Sequence, residues 1–281
     1  MKPFALLFLF ALLACGQAGD GRLKVSSFST ILTELAREVG GDKVEVTGHV
    51  KPGMDPHQFE PGPADLKIVS SSDLILVSGR HLENYAGKLR EASGGKAALL
   101  EVGDQLPGPK DDPHWWHSIG NIERATRIVR DEIIRLRPDE HASFSANAAA
   151  YIERLESLEK WVKTKVAELP RDRRKLVTNH DSFGYFARDF GFTVHPIAGF
   201  TQNDQPGSKK VAEIIAAIRR EGVKAIFSEA SENPKVIEQI TRETGAKPGG
   251  RLYSDGPGAK PDDTVEAMFR HNVTTIVEAL K

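Results

Sequence analysis

The chain has 281 residues, 40% of them hydrophobic and 27% charged, with a formal net charge of −1. That length and balance suit one or two globular domains with a sizeable core. Near-neutral charge gives no electrostatic reason to expect nucleic acid or a charged membrane surface as partner, and a single cysteine excludes an internal disulfide.

Residues 1–20 differ from the rest. Lys2 precedes the apolar run Phe4-Ala-Leu-Leu-Phe-Leu-Phe-Ala-Leu-Leu-Ala14, and Cys15 follows it. A charged start, a short apolar centre and a small residue at its end mark a secretory signal, too short for a comfortable transmembrane helix. Leu12-Leu-Ala-Cys15 resembles the bacterial lipobox, in which the cysteine is lipidated and becomes the first mature residue. An ordinary signal peptide that happens to contain a cysteine is the alternative. No later apolar run is long enough to span a bilayer.

After a polar tether (Gly16 to Arg22), Leu23–Phe28 and Lys43–Val50 read as half-buried strands. Between them Ile31, Leu32, Leu35, Ala36 and Val39 recur at helical spacing. The loop Pro52 to Leu66 follows, stiffened by Pro52, Pro56, Pro61 and Pro63 and turned by Gly53 and Gly62. It presents His57, and Pro63 suits the first position of a short helix capped by Gly62. Leu74–Val77 is a continuous apolar run, as expected of a strand buried on both faces. Leu82–Ala92 reads as a helix and Ala97–Val102 as a strand. A loop rich in Pro, Gly and Asp leads to Asp112-Pro-His-Trp-Trp-His117, after which Ser118 caps a helix ended by Pro138.

From Asp139 to Leu169, apolar residues from Phe144 to Leu169 recur every three or four positions, with no Gly or interior Pro. The spacing predicts one helix of roughly 30 residues, about 45 Å long, a strut between two halves. Strand–helix alternation then restarts. Lys175–Thr178, Thr193–Ile197, Ala225–Phe227 and Arg251–Tyr253 read as strands. Helices centre on Phe183–Arg188, Val211–Arg220 and Pro234–Thr244, and an amphipathic helix, Asp263–Leu280, closes the chain. The predicted fold class is therefore α/β: two similar parallel-sheet domains joined by one long linking helix. The expected divisions are 1–20 (signal and tether), 21–138, 139–169 (the linking helix) and 170–281.

Ligands of open parallel sheets bind beyond the carboxyl ends of the strands. His57, His114, His180, Glu229 and Asp255 all follow strands on that edge, two in the first half and three in the second. If the halves face each other, these groups meet in the cleft, and three histidines with one carboxylate form a tetrahedral Zn²⁺ set. His49, His81, His141, His195 and His271 lack this placement and read as structural or solvated. His117 is open between spare ligand, support for a ligand and rim residue. Trp115 and Trp116 wall the site or pack between the halves.

These motifs resemble those of the solute-binding proteins of bacterial zinc and manganese ABC importers, the cluster A-I family. Asp55-Pro-His-Gln-Phe-Glu-Pro61 is similar to the family's first ligand loop and Asp112-Pro-His-Trp-Trp116 to its second. His180-Asp-Ser-Phe-Gly-Tyr-Phe186 is similar to its third, and Asp255, before Gly256-Pro-Gly258, stands where the final carboxylate does. Arg270-His-Asn-Val273 also has the family's look. The chain departs where members commonly have Leu-Asp-Pro after the tryptophan and this chain has His117-Ser-Ile119. It also has Gly62-Pro-Ala64 in place of Thr-Pro-Ser, and it lacks the long His/Asp-rich loop of many zinc-type members.

The resemblance implies a metal set of His57, His114, His180 and Asp255. It also implies a non-enzymatic role: capturing Zn²⁺, with Mn²⁺ as the alternative, for a membrane permease. The expected place is the periplasm or the outer face of the cytoplasmic membrane, with a lipid on Cys15 as the only membrane attachment and a monomeric chain. Manganese-type members usually offer a carboxylate at position 180, and imidazole there favours zinc. A zinc hydrolase or a metal-stabilised adhesin is the competing class. The chain has no His-Glu-x-x-His and no Gly-x-Ser-x-Gly, and Glu229 as a general base is weaker than Glu229 as a neighbour of the site. A closed four-ligand site argues against hydrolysis, and a site split between halves argues against a purely structural metal.

Overall fold

A computed structural model describes residues 21–200, 206–229, 235–258 and 263–281. The expected signal and Cys15 lie outside the described residues, among which no helix is long and apolar enough to cross a membrane.

The first half is a parallel sheet in the order β2 (Val44–Gly48), β1 (Leu23–Ser27), β3 (Leu74–Val77), β4 (Ala98–Glu101). Parallel neighbours need crossovers. These are α1 (Thr30–Gly40), α2 (Pro63–Val69) and α3 (Ala86–Ala92). All four residues of β3 are buried, as its unbroken apolar run requires. Phe28, Val69, Ile75, Val77, Ala86 and Leu89 fill one face of the sheet, under α2 and α3. The other face joins α1 and α4 (Ile119–Leu136) in the main core.

The helix α3 starts four residues later than its apolar pattern suggests. Arg80 and His81 have φ of 55° and 67°, which no helix accommodates. The Glu83 carboxylate closes that turn by accepting from the Ser78 and Gly79 backbone N–H groups at 2.9 and 3.0 Å.

Ser118 caps α4 as expected, its Oγ accepting from Asn121 N at 3.3 Å. Pro138 then opens a short turn before α5 (His141–Val166), 26 residues long. That makes the strut about 39 Å. It ends before Leu169 because Glu168 and Leu169 tighten into bonds three residues back. Its buried stripe, from Phe144 to Val166, packs on α1 and α4 of the first half and on α9 (Val265–Leu280) of the second.

The second half holds two parallel pairs, β5 (Lys175–Thr178) with β6 (Thr193–Pro196) and β7 (Ala225–Glu229) with β8 (Lys247–Leu252), and β5 lies against β7. Crossovers are α6 (Gly184–Phe190), α7 (Ser208–Glu221) and α8 (Lys235–Thr244). The strand β8 begins four residues before the predicted Arg251. Pro248-Gly249-Gly250 has turn composition, yet pairing with β7 recruits it, with a register shift between Ile226 and Phe227. A side chain at Gly249 would stand 2.6 Å from the Phe227 ring, so the small residue permits that close approach.

Candidate metal centre

Two loops of the candidate site share one local device. Asp55-Pro-His57 and Asp112-Pro-His114 each turn so that the aspartate Oδ1 accepts the histidine backbone N–H, at 2.8 and 3.0 Å. Proline fixes the middle residue, and the Asx turn fixes the direction in which the imidazole leaves the chain. Asp112 goes further: the same oxygen meets His114 Nδ1 at 2.9 Å. Asp55 instead spends its second oxygen on Gln58 Nε2, at 2.9 Å.

His180 leaves the end of β5 and is held by the last residue of β7. Glu229 Oε1 accepts its backbone N–H at 3.2 Å, and Glu229 Oε2 lies against its Nδ1. Asp255 follows β8, with Oδ2 accepting from Ser254 Oγ at 2.9 Å. With Nδ1 of His114 and of His180 turned to carboxylates, each Nε2 is aimed at the cleft, the arrangement that orients metal-binding imidazoles.

There the structure brings together His57, His114, His180 and Asp255, whose donor atoms all lie within 4.8 Å of one another. His114 Nε2 stands 3.2 Å from both His57 Nε2 and His180 Nε2. Asp255 Oδ1 faces the three at 3.5, 3.8 and 3.5 Å. Donors at the corners of a tetrahedron with bonds of about 2.0–2.2 Å stand about 3.3–3.6 Å apart. These spacings therefore fit one small cation. His114 and His180 are fully buried, and the side chains of His57 and Asp255 are 4% and 8% exposed.

Charge in the site is divided unevenly. Burial, and then the His180 charge, hold His114 well below the usual imidazole range, so it is neutral. Burial also opposes charge on His180, but the Glu229 and Asp255 carboxylates outweigh it and raise this histidine well above that range. Asp255 remains ionised: burial pushes it up, and hydrogen bonds from His180 and His57 hold it well below the usual carboxylate range. Burial moves Asp112 up to about 6.

The remaining sequence candidates lie elsewhere. Glu229 stands behind His180, on Nδ1, while the cleft belongs to Asp255. His117 is buried but outside the four-donor group, its Nε2 on the Ser254 carbonyl at 2.7 Å and its ring stacked on Phe183. Trp116 lies edge-on to His114, whereas Trp115 packs into the first half with Nε1 3.3 Å from Ser78 O. His195 meets Glu221 at 2.9 Å and His271 the Arg251 carbonyl at 2.8 Å. His49 sits between Asp65 Oδ1 at 2.6 Å and Ser26 Oγ at 3.0 Å. That chain has the order of a hydrolytic relay, but Ser26 is fully buried and bonded to Ser72, so it ties α2 to β1.

Sequence reasoning missed Arg80. Its guanidinium, 4% exposed as a residue, donates to the Gly103, Leu106, Pro109 and Asp112 carbonyls and meets Tyr185 Oη, organising the loop that carries Asp112. Nothing local in the sequence points to it. The role of Asp112 was legible, had the repeated Asp-Pro-His been read as one turn used twice.

Two α/β halves on a long helix, with three imidazoles and a carboxylate meeting between them, define a two-lobed metal-binding protein. The chain belongs to the ZnuA family, described as zinc-uptake complex component A, periplasmic, which it matches over residues 25–279. It is thus a metal-binding substrate-binding protein of the ABC importers. It is 34% identical to the manganese-binding lipoprotein MntA of Bacillus subtilis (strain 168), over 99% of this chain and 98% of that one. It is 30% identical to the iron-binding protein YfeA of Yersinia pestis, over 92% and 86%. The solved structure of the periplasmic zinc-binding protein TroA from Treponema pallidum superposes with a TM-score of 0.85 at 29% identity, covering 92% of this chain and 99% of that one. The relatives' names thus span three metals on one scaffold.

Proposed function

We propose that the chain captures Zn²⁺ through His57, His114, His180 and Asp255 and passes it to the permease of an ABC importer. Residues 21–138 and 170–281 act as the two lobes and 139–169 as their strut. The observation that carries this reading is the gathering of three Nε2 atoms and one carboxylate oxygen at the spacing of a small tetrahedron. Three borderline nitrogens and one hard oxygen suit Zn²⁺, whereas Mn²⁺ is better served by more oxygens and a larger coordination number. Manganese is the second reading, favoured by the likeness to a manganese-binding relative.

Competitive titration of Zn²⁺ against Mn²⁺ under anaerobic conditions tests the choice, with the parent beside His180→Glu. The substitution exchanges a nitrogen for an oxygen and should narrow the preference for Zn²⁺. Zn²⁺ still binds more tightly in absolute terms, as the Irving–Williams order requires. A parent that prefers Mn²⁺ under these conditions rules the zinc reading out.

Binding should also release a proton. His180 carries one in the metal-free site because its value is raised, and the metal must displace it from Nε2. Neutral His114 contributes none. Affinity should therefore fall about tenfold per pH unit on the acid side of the His180 value. Calorimetry in buffers of different ionisation heat should find about one proton released at pH 7. Zero release, with affinity flat down to about pH 5.5, would contradict the tris-histidine set.

Cys15, ending Leu-Leu-Ala, is proposed as the lipid-bearing first residue of the mature protein at the outer face of the cytoplasmic membrane. Cys15→Ala should release the protein or leave it unprocessed. An unmodified native N-terminus beyond residue 15, found by mass spectrometry, counts against the anchor.

A further inference from the structure

We propose that Trp116 and His117 are positioning residues that clasp the Ser254 carbonyl, holding the Asp255 loop against the His114 loop across the cleft. The inference rests on the ligand set proposed above. Trp116 Nε1 donates to Ser254 O at 2.8 Å and His117 Nε2 meets the same oxygen at 2.7 Å. A carbonyl only accepts, so His117 carries its proton on Nε2, and the two donors use both lone pairs of one oxygen. All three residues are buried, at 1%, 1% and 2% exposure, so water does not compete for these bonds.

The joint reaches three of the four proposed ligands. Trp116 and His117 follow His114 by two and three positions. Ser254 precedes Asp255 and donates its own Oγ to the Asp255 carboxylate at 2.9 Å. The His117 ring stacks on Phe183 with centroids 4.4 Å apart, and Phe183 follows His180 by three positions. Behind the loop, Asn272 of α9 brackets Tyr253, accepting its N–H at 2.9 Å and donating to its carbonyl at 2.8 Å. The carboxylate loop is thus pinned from its own half by α9 and from the other half by the clasp. The consequence is a cleft whose donors are held at coordination distance by contacts independent of the metal, which should appear as slow metal release.

The experiment measures dissociation of Zn²⁺ and Co²⁺ from the full chain into excess chelator, with the visible spectrum of the Co²⁺ form as a readout of the coordinated atoms. His117→Phe keeps the stack on Phe183 and loses the donor; Trp116→Phe loses the other. Each should release metal about five- to tenfold faster, the value of one hydrogen bond, with one ion bound and the parent's Co²⁺ spectrum. The double variant leaves a buried carbonyl with neither donor and should exceed the product of the single effects. His117→Gln restores a donor and should lie nearer the parent than His117→Phe. Parent-like release from both single variants overturns the clasp, as does a His117→Gln rate equal to that of His117→Phe. A changed Co²⁺ spectrum in His117→Phe makes His117 a ligand and overturns it as well. Full metal content in His180→Ala instead defeats the ligand set, a result separable from all of these.

Discussion

His180→Ala should remove tight metal capture, while His117→Ala should only weaken it. A structural four-ligand Zn²⁺ site is worth on the order of 10–16 kcal/mol, so one ligand carries roughly 3 kcal/mol, about two orders of magnitude in affinity. Losing His180 costs more than that share. Its Nδ1 partner Glu229 is 1% exposed, and without the imidazole that buried side chain loses the ring that joins it to the site. His117 lies off the four-donor group, on the Ser254 carbonyl, and truncating it removes one hydrogen bond and a ring stack. The expected loss there is roughly tenfold. Competition titration of both variants against a chelator of known strength checks the order. If His117→Ala proves the more damaging, the departure after Trp116 has recast the site and the ligand set is wrong.

Glu229→Gln should lower affinity by roughly 10- to 100-fold, the range for removing the carboxylate behind a metal-bound imidazole. The size follows from a tautomer argument. Glu229 offers acceptors to both the backbone N–H and Nδ1 of His180, so Nδ1 keeps its proton and Nε2 is the nitrogen that gives its proton up to the metal. A glutamine has one acceptor and one donor. If its oxygen keeps the backbone contact, its NH₂ faces Nδ1 and drives the proton to Nε2, where it blocks the metal. If it flips, two donors confront each other at the backbone. Either arrangement should weaken binding while leaving one site per chain, and parent-like affinity would show that Glu229 does not orient His180.

Much of this protein is written locally. The Pro-stiffened loop that carries His57, the Ser118 cap, the buried β3 run and the stripe along α5 follow from dihedral limits and side-chain periodicity within a few residues. Each appears in the structure close to its expected bounds. The end of α5 tightened locally, whereas at α3 and β8 contacts outside the apolar pattern overrode the local preference. The turn at Arg80 and His81 delayed α3, with Glu83 closing it and Arg80 reaching the 103–112 loop. Pairing with β7 drew Pro248-Gly249-Gly250 into β8.

The sequence by itself determined that histidines and carboxylates stand on one edge of two parallel-sheet halves, because chain direction and strand order place every strand end on that edge. It did not determine their division of labour. Glu229 and Asp255 both follow strands of the second half, and only the resemblance to a family separated them. The tertiary structure puts Asp255 Oδ1 3.5–3.8 Å from all three Nε2 atoms and Glu229 behind His180. It likewise gives His117 a partner 137 positions away. Such assignments turn on distances of an ångström or two between loops brought together by the packing of α5 against both halves. Local dihedral preferences place a residue at the cleft; only the packed core decides which atom of which residue faces the centre.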